Sequence, residues 1–124
     1  MINIEIVNID KLQGHKRIVL TGRYENVAEV VEELFEDGHR IFEVQPYERY
    51  YFADYPQLVD GFLDEDRIII YTNSIEFLDV MLKSKHNFIL GTVRQDYSGQ
   101  LRIRVLTKEE ALYNRETFNM ELRV

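Results

Sequence analysis

Cysteine is absent from this chain of 124 residues. Its absence removes disulfides, thiolate nucleophiles, iron–sulfur clusters and cysteine zinc sites together, and agrees with a reducing compartment. Proline occurs twice and glycine six times, too few for a disordered, collagen-like or linker-rich chain. No apolar run approaches the roughly 20 residues that span a bilayer. The start, Met1-Ile2-Asn3-Ile4-Glu5, lacks the basic region and unbroken apolar stretch of a secretory signal. A cytoplasmic protein with no membrane partner is the expectation. Catalytic signatures are missing as well: the sequence contains no GxGxxG, Walker A, GxSxG or HExxH pattern, each of which places a nucleophile, a phosphate cradle or a metal at a fixed spacing.

What remains is the composition of one soluble domain. Apolar residues make up 45% and charged residues 30%, and a chain this long buries roughly 65 to 70% of its unfolded surface in a single core. One domain over residues 1–124 is therefore expected. The net charge of −7 is unevenly spread. Residues 1–66 hold 6 basic and 15 acidic side chains, a net −9, and residues 67–124 hold 9 and 7, a net +2. Such polarity fits uneven decoration of a solvated surface, or a protomer whose opposite faces attract.

Periodicity divides the chain into alternating elements. Ile2, Ile4 and Ile6 recur with a period of two, and Arg17 to Thr21 is a short β-branched run of the kind buried on both faces. Val27, Val30, Val31, Leu34 and Phe35 follow helical spacing, with Asn26 as N-cap, Glu29 as its capping-box partner and Gly38 as the stop. A strand over His39 to Gln45 follows, then a turn into Arg49 to Ala53. Asp54-Tyr55-Pro56 starts a short helix through Leu63. Arg67 to Thr72 is a second buried-type strand, and Asn73 or Ser74 caps a helix carrying Ile75, Phe77, Leu78, Met81 and Leu82. Strands over His86 to Gln95 and from Leu101 flank the hairpin turn Asp96-Tyr97-Ser98-Gly99. A helix from Lys108 to Arg115 and a strand over Phe118 to Val124 end the chain, the strand expected to pair with a sheet edge of its own chain or of another copy.

Two stretches repeat in order. Arg17-Ile18-Val19-Leu20, a helix, Gly38-His39-Arg40-Ile41-Phe42 and a turn at Gln45-Pro46-Tyr47 parallel Arg67-Ile68-Ile69-Ile70, a helix, Lys85-His86-Asn87-Phe88-Ile89 and a turn at Gln95-Asp96-Tyr97. The fold class expected from this is α+β, an antiparallel sheet with two main helices on one face, built as tandem βαββ halves in a ferredoxin-like arrangement. Val30, Leu34, Leu78 and Leu82 belong to its core. The alternative is a paired βαβββ architecture, as in glyoxalase and bleomycin-resistance proteins. Neither is accompanied by a residue-by-residue family match.

Candidate site residues come from charge and aromatic density. Glu29, Glu32, Glu33 and Glu36 form an acidic stripe opposite the apolar one, with no lysine interleaved. Like charges at i, i+4 repel by roughly 0.2 to 0.5 kcal/mol each, so the stripe points to a partner with a basic surface or to a plain solvated face. Tyr47, Tyr50, Tyr51 and Tyr55 crowd one segment, and tyrosine combines large contact area with few rotamers. Arg94, Arg102 and Arg104 gather around the hairpin, suited to a phosphate or to the acidic helix of another copy. His39 and His86 hold comparable places in the two repeats, either as a pair for a metal or proton or as surface histidines after helix ends. Glu43 is the carboxylate expected to be partly buried, near Arg40 and Arg49. No catalytic set, cofactor or metal site emerges, and direct nucleic-acid binding is disfavoured because the tyrosines lie in the acidic half. The leading expectation is a non-catalytic binding protein, a small regulator or accessory factor acting through protein contacts, with self-association as a further expectation. The alternatives are an acidic nucleic-acid mimic that inhibits a nucleic-acid-binding protein, and a small-ligand-binding domain.

Overall fold

The structure, a computed structural model, describes residues 12–34, 40–44, 55–64 and 67–113. Along the chain lie β1 (Arg17–Thr21), α1 (Tyr24–Leu34), β2 (Arg40–Val44), α2 (Tyr55–Leu63), β3 (Ile68–Thr72), α3 (Ile75–Lys83), β4 (Ile89–Gln95), β5 (Leu101–Thr107) and α4 (Lys108–Tyr113). The class is α+β, with one mixed five-stranded sheet in the order β2-β3-β1-β4-β5. The expected strands over Ile2 to Ile6, Arg49 to Ala53 and Phe118 to Val124 lie outside the described residues.

The antiparallel, one-faced sheet expected from the sequence is not what forms. β1 runs parallel to both β3 and β4, β3 runs parallel to β2, and only the β4–β5 hairpin is antiparallel. The physical reason is the burial of the central strands. All five residues of β3 are buried, as are the last four of β1, so each strand needs apolar cover on both faces, the condition that favours parallel sheets flanked by helices. Two clusters supply that cover. Val27, Val30 and Leu34 of α1 pack on Ile18, Leu20, Ile69 and Tyr71. On the other face Val59 and Leu63 of α2, and Phe77, Leu78, Met81 and Leu82 of α3, pack on Val19, Ile68, Ile70 and Leu90.

Strand order accounts for this division. The β1-α1-β2 crossover passes over β3 in one direction, and the β3-α3-β4 crossover passes over β1 in the other. Right-handed crossovers running opposite ways place their helices on opposite faces. The two repeats seen in the sequence are thus interleaved, with β1 and β3 side by side in the register Ile18 to Ile69 and Val19 to Ile70.

Local chemistry sets the boundaries. Ser74 caps α3, its Oγ accepting from the Phe77 amide at 3.2 Å while its own N–H donates to Thr72 Oγ1 at 3.1 Å. The expected cap at Asn26 is corrected: α1 begins at Tyr24, and the Val27 amide donates to Arg23 O at 2.9 Å, which places Asn26 inside the first turn. Gly22 lets the helix start early. Its φ is +144°, and a Cβ there would lie 2.6 Å from the Val93 carbonyl oxygen, so a side chain is excluded. Tyr71 closes the same corner, its hydroxyl donating to Gly22 O at 2.8 Å.

Leu34 and Leu82 are both buried, in different clusters with the sheet between them. Leu34→Ala and Leu82→Ala should each cost about 2 to 5 kcal/mol, and the double variant should equal their sum within about 0.5 kcal/mol, as for sites that share no partners. Chemical denaturation of the four proteins measures this. A coupling of more than about 1 kcal/mol would mean that the two helices touch.

Candidate functional site

The site is assembled on the β4–β5 hairpin. Arg94 of β4 stands directly opposite Arg102 of β5, and Thr92 opposite Arg104. Because side chains alternate across a strand, all four share one sheet face. It is the face of Leu90 and Leu106, which carries α2 and α3. The three arginines are exposed. Like charges directly opposite each other weaken a strand pair, and here an acid offsets them: Asp96 Oδ2 lies 3.2 Å from Arg102 Nε.

Asp96 also builds the turn. Its Oδ1 accepts from the Ser98 amide at 2.9 Å, the Ser98 hydroxyl at 2.6 Å and the Gln100 amide at 3.0 Å. Gly99 supplies the left-handed residue at φ +87°, and the Asp96 amide donates to Gln100 O. The Ser98 hydroxyl is the largest influence on the carboxyl, and with the Gln100 amide, Arg102 and the Ser98 amide it outweighs desolvation and holds the pKa down at about 2. At the tip, Tyr97 is fully exposed.

Beside the arginines, the ends of the parallel strands carry hydroxyls. Val44 pairs with Thr72, and Thr21 with Thr92, which in turn pairs with Arg104, and the three threonines are buried. Chains leave β1 and β3 here for opposite faces, the place where open parallel sheets usually bind ligands. In this chain the position is largely self-satisfied. Thr72 Oγ1 accepts from Ser74, Ser74 caps α3, and Glu76 accepts from the Ser74 hydroxyl at 3.3 Å. Thr92 Oγ1 alone of these hydroxyls is buried without a hydrogen-bond partner.

The other expected residues are dispersed. Glu32 and Glu33 are exposed on α1, whereas Glu29 is half-buried with Oε2 enclosed and unpartnered. The acidic stripe is therefore not one continuous solvated row. Glu36, Tyr47, Tyr50 and Tyr51 lie outside the described residues, as does His39, and Tyr55 is the first residue of α2. Glu43 is exposed rather than partly buried, because β2 is the end strand of the described sheet. His86, read as one of a pair with His39 or as a surface histidine, is largely enclosed, its Nε2 lying 3.3 Å from Asp64 and 3.6 Å from Asp60 without hydrogen-bond alignment. Among the described residues no group of three or more His, Asp or Glu side chains is arranged to hold a metal ion, and no helix is long and apolar enough to cross a membrane.

Comparison of the chain with family models, curated proteins and solved structures finds no match.

Sequence reasoning missed Tyr97. Its signal was present: a tyrosine at the tip of a two-stranded turn has no sheet face to pack against.

The Asp96 carboxyl gives a direct test of the turn. With a folded pKa of about 2 against the usual 3.8, Asp96 contributes stability above the unfolded value and loses it as pH falls toward 2. Ser98→Ala removes the strongest of the interactions and should raise the Asp96 pKa toward 3.8. Carboxyl-carbon NMR titration of both proteins reads the shift, and an unmoved pKa would assign the depression to other groups.

Proposed function

We propose that this chain is a non-catalytic binding protein, a small regulator or accessory factor acting through protein contacts, with the β4–β5 hairpin as its contact surface. The observation that carries the reading is the convergence of Arg94, Arg102 and Arg104 on one sheet face beside the exposed Tyr97. Arginine and tyrosine are the residue types that most often anchor interfaces, since each offers a large rigid contact with a directional polar end. A basic face in a chain of net charge −7 also selects an acidic partner and orients its approach.

Charge on the other side of the sheet supports the same reading. Exposed Glu25, Glu32 and Glu33 belong to α1, which packs on the face opposite the arginines. One protomer thus presents opposite charges on opposite faces, an arrangement suited to an acidic partner at the hairpin, a basic partner at α1, or a second copy joined head to tail. The nucleic-acid mimic is less well supported, because the inward Glu29 interrupts the row of charge such mimicry needs.

Capture from a lysate of the source organism at low and high salt, with wild type and with Arg94→Glu/Arg104→Glu and Tyr97→Ala variants, tests the proposal. All these positions are exposed, so the fold should survive. Loss of Tyr97 should weaken retention by about thirtyfold, corresponding to an anchor of about 2 kcal/mol. Charge reversal should slow association and flatten its salt dependence. Solution mass of wild type distinguishes a second copy from a different partner. Equal capture by all three proteins with equal salt slopes would remove the hairpin from the contact.

A further inference from the structure

At the other end of the sheet lies a second concentration of positive charge, with Lys108 buried, Arg17 half-buried and Lys16 exposed. A cavity of about 320 Å³ opens where the chain enters β1 and β4 and leaves β5. His15, Lys16 and Arg17 line it from the first segment, Phe88 from the second, and Lys108 and Glu109 from the third. Of the cationic side chains in this lining, Arg17 and Lys108 are held by backbone carbonyls. The volume lies at the lower end of the range for small-molecule sites, roughly 300 to 1,000 Å³.

Lys108 is the unusual member. It is 8% exposed, and lysine is almost never buried this deeply without partners. Its ammonium donates to the Ser84 carbonyl and, at 2.7 Å, to the His86 carbonyl, and it lies 5.9 Å from the Phe88 ring centroid. Those carbonyls follow the C-terminus of α3, where the helix dipole is negative. A strut holding the α3–β4 connection explains two of the three ammonium donors. It leaves the third donor over, on the side of the cavity that Lys16 and Arg17 also line. Burial lowers the Lys108 pKa, with Glu109 opposing the shift, as expected for a cation short of compensating charge. Arg17 is held in place by donating through Nε to the Leu63 carbonyl, so this cation is positioned before any ligand arrives.

We propose that this cavity binds a small anion with an apolar body: an oxyanion, phosphate or carboxylate, held by Lys16, Arg17 and Lys108, attached to a group about the size of one aromatic ring resting on Phe88. The inference is independent of the hairpin surface. Arg94 lies five residues further along β4 than Ile89, roughly 16 Å away at 3.3 Å per residue.

The test titrates isotope-labelled protein with phenyl phosphate, benzoate, inorganic phosphate and benzylamine, following amide shifts by NMR. Phenyl phosphate and benzoate should saturate with shifts centred on residues 15–17, 87–89 and 107–109. Inorganic phosphate should bind more weakly and benzylamine not at all. Lys16→Glu changes an exposed position and should weaken phenyl phosphate binding at least tenfold, while Lys16→Arg retains it and Arg94→Glu leaves it unchanged. Lys108→Met, if folded, should weaken it further. The proposal is overturned if the two aryl anions do not saturate at millimolar concentration, if benzylamine binds as well as they do, if inorganic phosphate binds as tightly as phenyl phosphate, or if Lys16→Glu binds with wild-type affinity.

Discussion

Burial of β1 and β3 on both faces is the constraint from which the architecture follows. Ile68, Ile69 and Ile70 are each fully enclosed, as are Val19 and Leu20. A strand with no polar face cannot sit at a solvated surface, because each large aliphatic side chain left in water would forfeit about 1.5 to 3 kcal/mol. Two such strands side by side require helices above and below. The opposed crossovers deliver them, α1 to one face and α2 and α3 to the other. Polar backbone is then satisfied within the sheet, where Ile68 to Tyr71 of β3 find partners on both sides.

The same constraint determines where chemistry can collect. The middle of a sheet covered on both faces holds no accessible polar group, so polar side chains are displaced to the strand ends and to the terminal hairpin. At one end Thr72 and Ser74 satisfy each other and the α3 N-terminus, and Thr92 alone of the buried threonines there keeps an unpartnered hydroxyl. Beyond the cover of α3, the strand alternation that buries Leu90 and Leu106 carries Arg94, Arg102 and Arg104 into solvent. At the opposite end three incoming and outgoing segments leave a gap, which Lys108 and Arg17 line with positive charge.

Much of this was legible in the sequence, element by element. The helical spacing of Val27, Val30 and Leu34, the run from Ile68 to Thr72, the Asp96 to Gly99 turn and the arginines around it are local patterns, and the structure contains each of them. The core assignments Val30, Leu34, Leu78 and Leu82 also hold. What the local patterns lacked was the relation between the two repeats. Tandem halves with helices on one face and interleaved halves with helices on both use the same strands and helices. They differ in which residues must be buried, and the fully apolar Ile68-Ile69-Ile70 run carried that distinction. Lys108 was illegible for another reason: its burial depends on Ser84 and His86, more than twenty positions away, and on a cavity bounded by three separate segments.

The two cationic regions differ in physical character even though both stand out against an acidic chain. Arg94, Arg102 and Arg104 face water, where side-chain entropy and a screening length of about 8 Å at physiological ionic strength limit each pairwise attraction to about 1 kcal/mol. Such a surface works through number and steering, and it needs an anchor such as Tyr97 to hold what it attracts. Lys108 sits where water is largely excluded, so its field is screened less by salt and an entering anion would compensate a cation already desolvated in the fold. The exposed patch therefore suits encounter with a large acidic surface, and the gap beside the buried Lys108 suits recognition of a small anion whose shape fits it.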